Sequence, residues 1–454
     1  MKIITAGAGR VGQQLARELS GYGHDLVIIE KDEKAAAFAE ELFDATVIRG
    51  DVCDLSNLHA AAKDGADMIV AVSEFDEVNL TACLLASRMG VKTRIARIRN
   101  EQWFEEGVLN QGELGIDKVI HPERETVDHL TRILGINGAF DYAEFAGGEV
   151  VLMGFEVARG LPLIGNSLAD LRRRFALDSF LIIGLYRESG FIVPHGDDVV
   201  EEGDKLWLLA AKETAPFVYP VFKKTSGAGE EMAMILGASR IGLKVADALK
   251  EKFGEVVLVE ADQALARMAA ERLDGVKVLR MGVKDADFHR DLDPERVNCF
   301  VAASDDSARN LMAGLLAKRL GVERVAVITS EAEYMPVMDA IGLDVVVNPH
   351  FLTAGAILKH IRKGIVYSVV KLRTGEAELV EYDVAEESRV AGKTLAEAGF
   401  PRGSLVGTVV RNSTIIIPDG STVLKKGDRV VVVATAEKSP EIEKLFSSKG
   451  LFFS

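Results

Sequence analysis

Gly7-Ala8-Gly9-Arg10-Val11-Gly12 recurs as Gly237-Ala238-Ser239-Arg240-Ile241-Gly242, at an offset of 230 residues. Glu30 and Asp32 recur as Glu260 and Asp262 at the same offset. Ser73 recurs as Ser304, Asn79-Leu80 as Asn310-Leu311, and Arg88-Met89-Gly90-Val91 as Arg319-Leu320-Gly321-Val322, at an offset of 231. Near the ends of the halves, Glu201-Glu202-Gly203-Asp204-Lys205-Leu206 matches Lys425-Lys426-Gly427-Asp428-Arg429-Val430 at an offset of 224. A register that drifts so little marks a duplication, so the 454 residues are expected to fold as two like halves.

Each half reads as two parts. In the first, Lys2–Ala6, Leu26–Ile29, Ala45–Arg49, Met68–Val72 and Arg94–Ile98 are strands, with helices between them. Val11, Leu15 and Leu19 recur every four residues, which is helical spacing, and Arg124–Leu134 closes the part as a helix. Such βαβ alternation implies a parallel sheet with helices on both faces. The second part carries Glu149–Val157, Ser179–Tyr186 and Lys205–Ala211 as strands between Gly, Pro and Asp turns. The expected class is therefore α/β, with two tandem Rossmann-like parallel-sheet domains, each followed by a small β-rich α+β lobe. The boundaries fall at 1–138, 139–215, a linker over 216–231, 232–362 and 363–454. The linker rests on Pro216, Pro220, Gly227 and Gly229.

Composition narrows the function. The formal net charge is −15, from 54 basic and 69 acidic residues, a poor match for general nucleic-acid binding. No apolar run approaches the roughly 18–20 residues that span a bilayer, and the short apolar start broken at Gly7 does not read as a signal peptide. Cys53, Cys83 and Cys299 are odd in number and far apart, which suits buried free thiols in a reducing cytosol. The eight histidines show no metal spacing. Tyr219…Lys223 and Tyr367…Lys371 mimic a dehydrogenase pair. The first lies in the linker and the second in a strand, where four residues span about 13 Å.

The chemistry gathers at the glycine loop. Gly7-x-Gly9-x-x-Gly12 follows a strand and opens a helix, the context a dinucleotide fingerprint requires. Gly7 permits the tight turn, Gly9 lets a pyrophosphate approach the backbone, and Gly12 lets helix and strand pack closely. The helix N-terminus offers N–H groups and partial positive charge to phosphate. Glu30 at the end of the second strand suits ribose hydroxyls, favouring NAD(H) over NADP(H), with Lys31 beside it as a complication. Asp51, Ser73 and Glu74, and the cations Arg97 and Arg99, follow later strands on the same rim, and Arg10 is a second phosphate candidate. In the second half Ser239 replaces the middle glycine, Val283 stands near the place of Asp51, and Val327 stands in the place of Arg97. That loop either binds nucleotide more weakly, binds another nucleotide, or only scaffolds.

Met1-Lys2-Ile3-Ile4-x-Ala6-Gly7-Ala8-Gly9-x-Val11-Gly12, Arg94-Ile95-Ala96-Arg97-Ile98-Arg99 and the duplication itself resemble the tandem RCK (KTN) domain family over essentially the whole chain. The nearest likeness is to peripheral subunits of Trk-type potassium uptake. The resemblance implies a cytosolic, non-enzymatic gating subunit on the inner face of a membrane-embedded potassium-translocating partner. It implies NAD(H), or ATP/ADP, as ligand and a ring, commonly of four tandem chains. The residues so implicated are Gly7, Ala8, Gly9, Arg10, Val11, Gly12, Glu30, Lys31, Asp51, Ser73, Glu74 and Arg97. Their second-half counterparts are Gly237, Ala238, Ser239, Arg240, Ile241, Gly242 and Glu260. The resemblance also matches Arg10 to an arginine reaching a terminal phosphate across an interface, and Glu123 to an acidic ion-contacting position. The alternatives are an NAD-dependent oxidoreductase, or a regulator of the same kind serving a different cation channel or antiporter.

Overall fold

The structure is a computed structural model. It describes residues 1–20, 24–104, 110–136, 138–174, 180–187, 190–218, 222, 231–283, 293, 295–361, 366–372, 376–435 and 437–447. The chain divides into two compact units. One comprises Met1–Asp128, Met232–Glu251 and Glu255–Leu358; the other comprises His129–Glu231, Lys252–Gly254 and Lys359–Ser454. The division pairs like with like, since the two α/β parts share the first unit and the two β-rich parts share the second.

In the first unit the leading α/β part runs β1 (Lys2–Ala6), α1 (Arg10–Ser20), β2 (Asp25–Glu30), α2 (Glu33–Leu42), β3 (Thr46–Arg49) and α3 (Leu55–Ala61). It continues through β4 (Met68–Ala71), α4 (Asp76–Arg88), β5 (Thr93–Arg97), β6 (Lys118–Ile120) and α5 (Pro122–Leu134). The parallel order is β3-β2-β1-β4-β5-β6. This is the doubly wound arrangement, whose ligand crevice opens where the order reverses, between β1 and β4. Strand residues such as Ile3, Ile4 and Ile69 are fully buried, as a sheet covered on both faces requires. Val11, Leu15 and Leu19 of α1 are buried as their spacing predicts. Pro122 takes the first position of α5, where its missing N–H costs nothing.

In the second unit, β7 (Ala139–Phe145), β8 (Val150–Glu156), α6 (Leu168–Arg174), β9 (Phe180–Arg187), β10 (Gly190–Ile192) and β11 (Lys205–Ala211) form the first β-rich part. Its antiparallel order is β10-β9-β11-β8-β7. The expected linker is partly structured. Ala215–Val218 is a helical turn, α7, and Phe222 is buried, stacked on Phe155 at 5.3 Å. Residues 219–221 and 223–230, including Tyr219 and Lys223, lie outside the described residues.

Back in the first unit, the second α/β part repeats the first. It runs β12 (Met232–Leu236), α8 (Arg240–Leu249), β13 (Glu255–Glu260), α9 (Gln263–Arg272), β14 (Lys277–Arg280) and β15 (Val297–Ala302). Then come α10 (Ser307–Leu320), β16 (Arg324–Ile328), α11 (Met335–Ala340), β17 (Val345–Val347) and α12 (Pro349–Ile361). The order is β14-β13-β12-β15-β16-β17.

The second β-rich part has β18 (Val366–Lys371), β19 (Ala377–Asp383), β20 (Ser404–Arg411), β21 (Thr414–Ile416), β22 (Arg429–Thr435) and α13 (Ser439–Phe446). Its order is β18-β19-β22-β20-β21. Tyr367 and Lys371 do lie on a strand, β18. Inside this unit Phe145, Ile183, Trp207 and Leu209 share one core with Leu379, Val431 and Val433, so neither β-rich part completes its core alone. The duplication extends to buried charge. Arg187 clasps Asp204 at 2.7 and 2.9 Å, and Arg411 clasps Asp428 at 2.7 and 2.6 Å.

Pairing registers align the halves residue by residue. Glu30 pairs with Arg49 and Glu260 with Arg280, so one residue has been inserted between β13 and β14. The backbone N–H of Gly50 bonds Glu30, and that of Met281 bonds Glu260. The counterpart of Asp51 is therefore Gly282, not Val283. Ala71 pairs with Ala96 and Ala302 with Val327, which makes Ile328, not Val327, the counterpart of Arg97.

Candidate functional site

The first glycine loop links β1 to α1 at the switch point. The Gly7 N–H bonds Ile29 O at 2.9 Å, and its φ of +109° is a conformation that favours glycine. A Cβ on Gly12 would lie 2.0 Å from Gly7 O, so helix and turn touch there. A Cβ on Gly9 would meet nothing within 4 Å, and Gly9 is exposed. That open face beside the start of α1 is a cradle of the kind a phosphate group fills. Val11 and Gly12 are buried in α1 and act by packing.

Glu30 stands beside the loop. One carboxylate oxygen accepts the Ala8 N–H at 2.5 Å and the other accepts the Asp32 N–H at 2.7 Å. The Ala8 N–H is thus engaged by protein. Each Glu30 oxygen keeps a further lone pair for a hydroxyl donor. Lys31 and Asp51 pair at 3.2 Å on the outer rim, both exposed enough for the pair to stabilise little. Asp51 also accepts the Cys53 N–H at 2.9 Å. That bond, with Lys31, holds its carboxyl below the usual range.

Across the crevice, the Ser73 hydroxyl is bound into its own turn with Phe75, and Glu74 is exposed beside it. Asn79, fully buried, holds this turn. Its Oδ1 accepts the Ser73 N–H at 2.9 Å, and its Nδ2 donates to Ser73 O at 3.0 Å and Arg97 O at 2.8 Å. Asn310 makes the same bonds to Ser304 and Ile328. In the sequence this asparagine stands only as a repeat mark, and its role shows in the structure alone. Its recurrence in the helices that follow β4 and β15 is the available signal.

Arg97 is buried rather than in a surface ion pair. It donates to Ser73 O at 3.0 Å, while its Nε and the Oε2 of Glu123 are buried without hydrogen-bond partners among the described residues. Burial, with Arg99 nearby, pushes the Arg97 guanidinium down to about 10, which leaves it charged at neutral pH. Arg10 does not fold over its own loop. It donates to Ser330 O at 3.1 Å and Glu331 Oε1 at 2.7 Å, just beyond β16 of the second α/β part. Lys244 of α8 meets Glu101 at 2.6 Å, just beyond β5. Each glycine-loop helix thus reaches the strand-five loop of the other α/β part.

The helix starts Pro122 and Pro349 align Glu123 with His350. Burial, and then Arg10, Arg97 and Arg99, push the His350 imidazole down to about 4. Its folded value lies below the ordinary one near 6.5, so between the two only the unfolded chain takes up the proton. Stability is full above about pH 6.5 and drains away toward pH 4, by up to about 1.4 kcal/mol per pH unit for one such group. His129, half-buried and also pushed down to about 4 by desolvation, adds to the same slope. Thermal midpoints measured from pH 7 to 4 should fall, and His350→Gln should flatten the curve by about half.

The second loop repeats the geometry with different side chains. Gly237 has φ +104° and bonds Val259 O at 2.8 Å, and a Cβ on Gly242 would lie 2.1 Å from Gly237 O. Glu260 accepts the Ala238 N–H at 2.8 Å and the Asp262 N–H at 2.9 Å, and is buried. Ser239 caps α8 by accepting the Gly242 N–H. Arg240 is exposed and Ile241 half-buried at the start of that helix. Among the described residues no group of three or more His, Cys, Asp or Glu is placed to hold a metal ion. No helix among them is long and apolar enough to cross a membrane. None of the three cysteines is in a disulfide; Cys83 and Cys299 are buried and Cys53 half-buried. Burial pushes the Cys83 thiol up to about 12.

Two doubly wound parts with dinucleotide-type loops, each followed by an antiparallel β-rich part, define a tandem RCK-type chain. Domain-family models place it further. The TrkA-N domain matches residues 3–122 and 233–349, and the TrkA-C domain matches 152–222 and 379–447. The chain belongs to the TrkA family. It is 32% identical to Trk system potassium uptake protein TrkA homolog 1 of Methanosarcina mazei, covering 98% of this chain and 100% of that one. It is 30% identical to Trk system potassium uptake protein TrkA of Haemophilus influenzae, covering 100% of both. Among solved structures, the GsuK RCK domain superposes with a TM-score of 0.59 at 20% identity, covering 98% of this chain and 94% of that chain. The GsuK channel bound to NAD gives 0.59 at 20% identity, covering 98% and 78%. At that identity the likeness is one of fold.

Proposed function

We propose that this chain is a nucleotide-binding regulatory subunit of potassium transport, with the first glycine loop as its sensor. The observation that carries the reading is the open face of Gly9 at the switch point, flanked by Glu30 and backed by buried Arg97. The potassium assignment is drawn from the relatives' names, and NAD(H) from the NAD-bound structure of like fold. In this reading Gly7, Gly9 and the start of α1 take the pyrophosphate, and Glu30 takes ribose hydroxyls. Asp51 and Lys31 edge the adenine end, with Ser73, Glu74 and Arg97 on the far rim. ATP or ADP is the alternative ligand. The bound nucleotide acts as an effector, supplying charge and hydrogen bonds and no reaction; no residue is assigned a catalytic role.

Partner and place follow from the same reading. The partner is a membrane-embedded potassium-translocating subunit, met at the inner face of the membrane, and the chain assembles into a ring of four. The four lobes are bounded at 1–138, 139–215, 232–362 and 363–454. A nucleotide biases such a ring only by binding one arrangement better than another. Couplings of this kind are typically about 1–3 kcal/mol. Arg10 is suited to the task, since it joins the first loop to Ser330 and Glu331 of the other α/β part. Calorimetric titration of the full chain with NADH should show saturable binding that ATP or ADP competes away. The absence of binding by all three would refute the sensor.

A further inference from the structure

We propose that the second glycine loop is closed by the chain's own atoms, with the Ser239 hydroxyl occupying the place a phosphate would take. Each chain then carries one nucleotide, at the first loop. This rests on the first loop being a nucleotide site. The Ser239 Oγ donates to Ala303 O at 2.5 Å and accepts the Gly242 N–H at 3.0 Å. It thereby consumes a helix N–H of the kind that would otherwise face an anion and ties the loop to the end of β15. At the matching position Gly9 has no side chain and only open space above it.

Three further differences point the same way. A Cβ on Gly237 would lie 2.6 Å from the Ser304 backbone, against 3.1 Å for Gly7 and Ser73, so the second mouth is tighter. Glu260 is buried where Glu30 is half-exposed. The phosphate end has also lost its buried cation. Arg97 is replaced by Ile328, and Asn100 by Glu331, whose carboxylate already holds Arg10 at 2.7 Å. A pyrophosphate entering there would have to displace the hydroxyl and do without the buried cation.

The test counts NADH bound per chain by equilibrium dialysis of the full-length protein. Wild type should bind one, Gly9→Glu none, and Gly9→Glu with Ser239→Gly should regain one of lower affinity, since Ile328 still stands in the place of Arg97. Glycine suits the φ of −64° at Ser239, and the space above Gly9 accepts a side chain, so both variants should melt near wild type. Two sites on wild type, or one surviving in Gly9→Glu, would overturn the closed loop. So would a folded double variant that regains none. No site on wild type with one appearing in Ser239→Gly would refute the first-loop sensor and leave the closed second loop standing; no site in either overturns both.

Discussion

Replacing Gly12 by alanine is expected to weaken NADH binding at least about 100-fold, a loss of about 2.8 kcal/mol. The added methyl would sit 2.0 Å from Gly7 O and 3.0 Å from Gly7 C, atoms of a backbone turn that cannot rotate aside. Alanine raises helix propensity by about 1 kcal/mol over glycine. The overlap outweighs this, because overpacking typically costs about 1–3 kcal/mol even against side chains that can yield. Relief requires α1 to tilt away from β1, which moves Gly9 and opens the crevice that Glu30 flanks. The thermal midpoint should fall by several degrees, at about 2–4 °C per kcal/mol for a unit of this size. Gly355→Ala is the control. Its Cβ meets nothing within 4 Å in α12, so it should hold or slightly raise the midpoint.

Asn79→Ala is expected to cost about 2–4 kcal/mol. The buried side chain serves Ser73 N, Ser73 O and Arg97 O; alanine removes all three bonds, and Ser73 O alone keeps a second partner, Arg97. Unsatisfied buried groups cost about 1–3 kcal/mol each. Asn310→Ala should destabilise by a similar amount, since it breaks the matching bonds at Ser304 and Ile328. The two should separate in binding. Asn79→Ala loosens the turn facing Gly7 and the strand end carrying Arg97, and should weaken NADH; Asn310→Ala should leave its affinity near wild type. Calorimetry and thermal melts of both variants distinguish this from a general loss of stability.

The repeated loop, the strands and the Glu30 position were legible in the sequence because they are local. Glycine spacing, four-residue periodicity and an acid at a strand end all write themselves within a few dozen residues. What escaped is relational. The single insertion between β13 and β14 shifts the offset from 230 to 231, which places Ile328 rather than Val327 opposite Arg97, and Gly282, one residue before Val283, opposite Asp51. Arg10 read as a loop cation because nothing along the chain shows Glu331 waiting 321 residues away. Phe222 read as linker because its partners, Phe155 and Phe180, lie far back in sequence. Glu123 and His350 became counterparts only once the two prolines that open α5 and α12 were superposed.

Potassium flux into vesicles that hold a Trk-type translocating subunit, with this chain on the cytoplasmic face, tests the regulatory claim most directly. Flux should change when NADH is added to the wild-type chain and stay constant when NADH is added to Gly9→Glu. Flux indifferent to NADH with a wild-type chain that binds both vesicle and nucleotide would contradict the assignment. So would an equal response from the two chains.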